Sequence, residues 1–244
     1  MTRVMIFAAA PVTLAMFLIV TYGQYLLPAE SAEKPSLVSD TIESSSESSS
    51  SSWPNWMGAN HDGISGEAGW STEWPEDGLE VLWRRQIGIG FSSVSIAGGR
   101  LFTMGHRDGD ETVYCLDLST GDVIWSHTYP SELVANLYEG GPGSTPTIDG
   151  GLVYTVGKEG QLFCLRVADG KVIWQRDLQA DLGVSLPEWG FNGSPFILGD
   201  QLILEAGRVV SFDKRTGERN WQTEKHTAGY GSAISFGYEK ERLI

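Results

Sequence analysis

Residues able to do chemistry are sparse in this chain of 244 residues, which has two cysteines and four histidines. Cys115 and Cys164, 49 residues apart, read as two small core residues rather than a disulfide, which would need their Cα atoms within about 7 Å. HRDGDE at 106–111 and NHDG at 60–63 could be taken for cation loops. NHDG lacks the ligand spacing of a calcium-binding loop and reads as a turn in a strap leading into the folded part. HRDGDE reads as a solvated hairpin. No metal-ligand cluster, nucleophile–base arrangement or phosphate loop is legible. Recognition chemistry is better represented, in YEGGPGSTP (138–146), PEWGFNGSP (187–195) and HTAGYGSAI (226–234). These stretches supply Tyr138, Glu139, Glu188, Trp189, Asn192, His226 and Tyr230 as candidate ligand-binding residues. The competing reading is a set of glycine-rich turns with Trp189 packed as a lid over inner strands.

What positions these stretches is a repeat. CLDLSTGDVIW at 115–125 returns as CLRVADGKVIW at 164–174 and as SFDKRTGERNW at 211–221. Trp83, Trp125, Trp174 and Trp221 are spaced by 42, 49 and 47 residues, and Gly121, Gly170 and Gly217 each lie four residues before a tryptophan. Further phrases run in step: IAGGRLFTMG, IDGGLVYTVG and ILGDQLILEA, and the openings GFSSVSI, GSTPTI, GSPFIL and GSAISF. Periods of this size mark propellers and solenoids. Within 144–178, four short β-rich runs are broken at Asp149-Gly150-Gly151, Lys158-Glu159-Gly160 and Asp169-Gly170. Glycine accepts the positive φ of tight hairpin turns, so each unit reads as a four-stranded antiparallel sheet. Such sheets must stack on their neighbours, and radial stacking makes a β-propeller. The expected fold is all-β: an incomplete propeller with three full blades and parts of one more, an outer strand at 81–88, and a last blade cut off after about one and a half strands. A truncated reading frame is the expectation for that shortfall. The three recognition stretches then lead from an outer strand to the next inner strand, on one face of a rigid scaffold, where loops commonly carry function.

The phrase resembles the tryptophan-docking motif Ala-x-Asp-x-x-x-Gly-x-x-x-Trp of quinoprotein-type propellers. Cys115, Asp117, Gly121 and Trp125 match it with Cys for Ala. Cys164, Gly170 and Trp174 match with Arg166 in place of the acid, and Ser211, Asp213, Gly217 and Trp221 match with Ser for Ala. WPNWMGANHDGIS at 53–65 and VLWRRQIGIGFSSVSIAGGRLFTMG at 81–105 resemble the start of PQQ-binding-like β-propeller repeat proteins. That group is similar to the propeller lipoprotein of the outer-membrane β-barrel assembly machinery and, more distantly, to quinoprotein alcohol dehydrogenases. The resemblance implies a binding or scaffolding role toward a protein or polymer. Its alternative is a quinoprotein-like dehydrogenase whose active-site residues are missing from this chain. Such dehydrogenases use adjacent cysteines, a metal held by Glu, Asn and Asp, and a catalytic aspartate. Here the cysteines are 49 residues apart, at equivalent positions of neighbouring blades. Pyrroloquinoline quinone is suggested only by the family name, and no cofactor, metal or catalytic residue is expected.

The remaining features concern location. Val4 to Leu27 carries no charge, about the length that crosses a bilayer core, with Arg3 before it and Glu30 after it. Residues 1–30 are read as a signal peptide or a signal-anchor helix, and 31–52 as a Ser/Glu-rich disordered linker. The partial propeller occupies 53–244. The expected location is extracytoplasmic, periplasmic or secreted, with the membrane as a partner if the segment is uncleaved. A formal charge of −14 argues against a nucleic-acid partner. A protein partner, or self-association through open propeller ends, is the expectation.

Overall fold

The computed structural model describes residues 52–136 and 138–244. The hydrophobic segment 4–27 and nearly all of the linker lie outside the described residues. Among those described, no helix is long and apolar enough to cross a membrane.

Three four-stranded antiparallel sheets follow one another in the chain. The first has β1 (Ser95–Ala97), β2 (Arg100–Arg107), β3 (Asp110–Asp117) and β4 (Val123–Pro130). The second has β5 (Thr147–Asp149), β6 (Leu152–Val156), β7 (Gln161–Arg166) and β8 (Val172–Asp177). The third has β9 (Phe196–Leu198), β10 (Gln201–Glu205), β11 (Val209–Asp213) and β12 (Arg219–Gln222). Each is a simple meander, and the short first strands β1, β5 and β9 are neighbours. The sheets therefore fan out from a common inner line as blades of an incomplete β-propeller. A hairpin of β13 (Phe236–Tyr238) and β14 (Glu241–Leu243) follows.

Blades cohere through apolar seams. Phe102, Met104, Val113, Cys115 and Trp125 of the first blade pack with Val153, Phe163 and Leu165 of the second. Tyr154, Val156, Leu162, Cys164 and Trp174 pack in turn with Leu202, Leu204, Val210 and Phe212 of the third. The repeated phrase builds the seams. Gly121, Gly170 and Gly217 adopt φ of 72°, 72° and 71°, a region that favours glycine. A Cβ on Gly170 would lie 2.5 Å from the Trp125 ring, and one on Gly217 would lie 2.7 Å from Trp174. The glycine thus makes the turn between third and fourth strands and opens a seat for the previous blade's tryptophan. Trp125 and Trp174 Nε1 donate to the carbonyls of Val167 and Lys214 at 2.8 and 3.0 Å. The motif acid organises the same turn: Asp117 Oδ1 accepts the Ser119 and Thr120 N–H groups, each at 2.9 Å. Asp213 does the same for Arg215 and Thr216. Where Arg166 replaces the acid, it forks onto Asp169, which takes over the turn.

Four expectations need correction. The segment 81–88 belongs to no sheet; the isolated bridge Ile89 to His106 follows it, and Trp83 and Arg85 reach the Leu118 and Gly121 carbonyls of the first blade with their side chains. Among the described residues no third strand lies beside it to complete a ladder. HRDGDE does turn at Asp108-Gly109, yet His106 and Glu111 are buried, because β3 turns Glu111 inward with Val113 and Cys115. Trp189 is not a lid over inner strands; it is 39% exposed. The last unit forms two short strands rather than one and a half. A further element was not anticipated, a one-turn helix α1 (Leu178–Leu182), capped by the Asp177 side chain and closed by Gly183 at φ 62°.

The strap at 53–61 crosses the inner strands. Trp53 exchanges both backbone hydrogen bonds with Ile96, the Pro54 carbonyl accepts from Ile148, and the His61 ring meets Phe196 edge-on at 5.0 Å. The turn expected at NHDG lies in this strap.

Candidate functional site

In an antiparallel meander, the turn between strands two and three leaves from the same end as the connection from strand four to the next blade. The three recognition stretches therefore share one face with the turns at 157–160 and 206–208. On that face lies a buried polar cluster centred on Lys158.

Lys158 is fully buried. Its backbone N–H donates to both Glu111 carboxylate oxygens, at 3.0 and 3.1 Å, and Glu111 also accepts the Tyr129 hydroxyl at 2.9 Å. Its Nζ reaches outward to Tyr138 Oη and to Asn192 Oδ1 at 3.3 Å, and sits 4.7 Å from the Tyr138 ring centroid. A buried cation held by an aromatic face and two oxygens ties the connections of two blades to one point. Burial pushes the Lys158 amine down to about 8, against the attraction of Glu111. Burial likewise raises Glu111 and holds Tyr129 well above its usual range. Glycines make the room. The aliphatic stem of Lys158 lies where a Cβ of Gly190 would be, and Asn192 Oδ1 where a Cβ of Gly143 would be. A Cβ on Gly157 would lie 2.7 Å from Gln161 Oε1, Glu111 Oε2 and Tyr129 Oη at once. Gly157→Ala is therefore expected to cost about 1–3 kcal/mol by overpacking, read as a shift of the urea midpoint without a change in slope.

The candidate residues divide around this cluster. Tyr138 donates its hydroxyl to the Trp189 carbonyl at 3.2 Å and packs on Phe91. Asn192 Nδ2 donates to the same carbonyl at 2.9 Å. Trp189 stacks on Tyr230 with centroids 5.2 Å apart, and both rings are more than a third exposed. Glu188 accepts from Asn136 at 3.1 Å. Tyr138, Glu188, Trp189, Asn192 and Tyr230 thus converge from three connections. His226 is tied to Glu205 at 3.0 Å, and Glu205 also accepts the Gly207 and Gly229 N–H groups. An open cleft of about 530 Å³ is lined by Val184, Pro187, Glu188, Lys225, His226 and Tyr230. Glu139 is exposed.

Lys158 and Glu111 were missed as site residues. Glu111 was legible, since period two along β3 places it on the face of Val113 and Cys115. Lys158 lies in a turn and carries no periodic signal. Cys115 and Cys164 are free and buried, paired across their sheets with Trp125 and Trp174 respectively. Ser211 pairs likewise with Trp221, whose indole N–H turns to Gln201 at 2.9 Å. Among the described residues, no group of three or more His, Cys, Asp or Glu side chains is placed to hold a metal.

Blades joined by indole-on-glycine docking, with aromatic and amide side chains gathered at one end, define a PQQ-like β-propeller. The chain belongs to the family described as outer membrane protein assembly factor BamB, whose profile matches residues 59–237. No curated protein matches the chain. Among solved structures, a europium-containing methanol dehydrogenase is similar at 18% identity and TM-score 0.49, over 59% of this chain and 27% of that one. BamB from Moraxella catarrhalis is similar at 17% identity and TM-score 0.33, over 55% of this chain and 51% of that one. The computationally designed Ika4 protein matches at 12% identity and TM-score 0.39, over 64% and 89%. The chain spans about a quarter of the dehydrogenase and about half of that BamB.

Proposed function

We propose that this propeller is an extracytoplasmic recognition module that binds a polypeptide partner on the face carrying Trp189 and Tyr230. The observation behind this reading is the convergence of Tyr138, Trp189, Asn192 and Tyr230 from three connections, held by buried Lys158, with two stacked rings left exposed. Rigid aromatic rings beside a cleft are the side chains that dominate binding energy at interfaces. Acidic Glu139 and Glu188 at the rim favour a partner with basic side chains nearby. The family's description as an outer membrane assembly factor fits a protein partner and a location outside the cytoplasm. The dehydrogenase alternative would place its active-site residues outside this chain. Its adjacent cysteine pair is missing, and both thiols are sealed inside separate blades, where burial pushes them up to about 11 and about 12.

The test uses the full chain and, as probe, a fluorescently labelled outer-membrane β-barrel polypeptide diluted from urea. Trp189→Ala and Tyr230→Ala are expected to weaken binding at least tenfold, with thermal stability unchanged, because both rings are substantially exposed. Equal binding by the wild type and both variants would overturn the reading. Pyrroloquinoline quinone with calcium is the control ligand; saturable quenching at micromolar quinone would favour the dehydrogenase alternative.

A further inference from the structure

We propose that the chain joins Lys158 to Asn192 by an intramolecular amide bond, which staples the turn between β6 and β7 to the connection that carries Trp189. The two side chains already meet: Lys158 Nζ donates to Asn192 Oδ1 at 3.3 Å. The amide carbon lies about 1.2 Å from that oxygen. A small rotation therefore brings Nζ and Cγ to the separation of about 3–3.5 Å from which fixed groups react without a diffusional step. Both partners are held from behind. The Lys158 backbone N–H is fixed on the two carboxyl oxygens of buried Glu111. A Cβ at Gly190 would lie 2.6 Å from Lys158 Cδ, so the lysine stem fills the room that this glycine leaves. Asn192 Nδ2 is tied to the Trp189 carbonyl at 2.9 Å.

Lys158 is fully buried, and burial lowers its amine to about 8. Near that pH a large share of the amine is the free base, the form that attacks a carbonyl carbon. Nζ attacks Cγ of Asn192. The Nζ–Cγ bond forms, the Cγ–Nδ2 bond breaks, and Nδ2 leaves as ammonia with a proton that began on Nζ. One amine and one primary amide become one secondary amide and ammonia, so the step needs no oxidant, reductant or co-reactant. Tyr138 is its catalytic residue. The Tyr138 hydroxyl touches Nζ and donates to the Trp189 carbonyl at 3.2 Å, the same carbonyl that holds Nδ2. It stands beside the attacking nitrogen and shares an acceptor with the leaving one, the place from which a proton passes between them. The structure holds these groups before reaction, and the inference does not depend on what the Trp189 face binds.

The full chain is incubated at about pH 9, above the lowered value of the amine, and followed by intact mass and tryptic mapping. The expected product is lighter by one ammonia and grows with time. It is uncut after Lys158 and yields a branched peptide joining the segments that carry Lys158 and Asn192. Asn192→Ala is expected to abolish it, and Tyr138→Phe to slow its growth at least about tenfold. Near-ultraviolet circular dichroism of the fresh variants checks that each is folded. An unchanged mass of the wild type would overturn the proposal. So would loss of ammonia confined to one unbranched peptide holding Asn192 and Gly193, because that product is a cyclic imide closed by the Gly193 nitrogen. Equal rates in the wild type and folded Tyr138→Phe would overturn the role given to Tyr138.

Discussion

Trp174→Ala is expected to destabilise the folded chain by about 3–5 kcal/mol, the range for deleting a buried large aromatic side chain. Trp174 is only 9% exposed and lies between the second and third blades, against Tyr154, Leu202, Val210 and Phe212. Truncation leaves a void at the seam that the two hydrogen-bonded sheets cannot close, because their spacing is set by the surrounding side chains. It also removes the indole donor from the Lys214 carbonyl. Blades bury their faces only against one another, so a loss at one seam is felt by both sheets. Trp221→Ala is the internal comparison. That ring is only half-buried, and its N–H meets the Gln201 side chain instead of the next blade's turn. Its loss is expected to cost less than half as much. Urea unfolding of both variants checks the assignment. Equal losses, or an unchanged midpoint for Trp174→Ala, would contradict the docking role of the repeated phrase.

Stability is expected to rise between pH 8 and 9 by about 1 kcal/mol relative to a Lys158→Met variant. In the unfolded chain the Lys158 amine has its ordinary value of 10.5, while in the fold burial lowers it to about 8. Between these values the unfolded state holds the extra proton, so raising the pH favours the fold. Below pH 8 the amine is charged in both states and the penalty is constant. The groups around it are present in both proteins, so the comparison with the variant cancels their own contributions. Glu111 is raised from a carboxylate value of 4.5, and Tyr138 and Tyr129 are raised from 10. Cys115 and Cys164 act in the opposite direction. Their thiols ionise near 9 when unfolded and near 11 and 12 when folded, so they lower stability above pH 9 in wild type and variant alike. Urea midpoints of both proteins at pH 7, 8 and 9 isolate Lys158. Parallel profiles would mean that its amine carries no buried charge.

The blade plan was legible in the sequence because it depends on local rules. Glycine at positive φ, an acid that accepts turn N–H groups, and period-two alternation act over a few residues, and their recurrence declares a stack of like sheets. Gly121, Gly170 and Gly217, with their tryptophans, could be placed on that basis before any coordinate was known. Glu111 could also have been read inward from the alternation of β3. Which loop residues meet was a different matter. Tyr138, Trp189, Asn192 and Tyr230 come from connections of irregular length, whose paths follow from packing and not from a repeat. Lys158 stands in a turn that the sequence marks only as a break between strands, and the approach of Gly190, Asn192 and Tyr138 buries it. The segment 81–88 shows the same division. Its Val-Leu-Trp pattern set the side-chain contacts to Gly121, but a strand needs a neighbour to hydrogen-bond with, and no pattern within one segment can supply that.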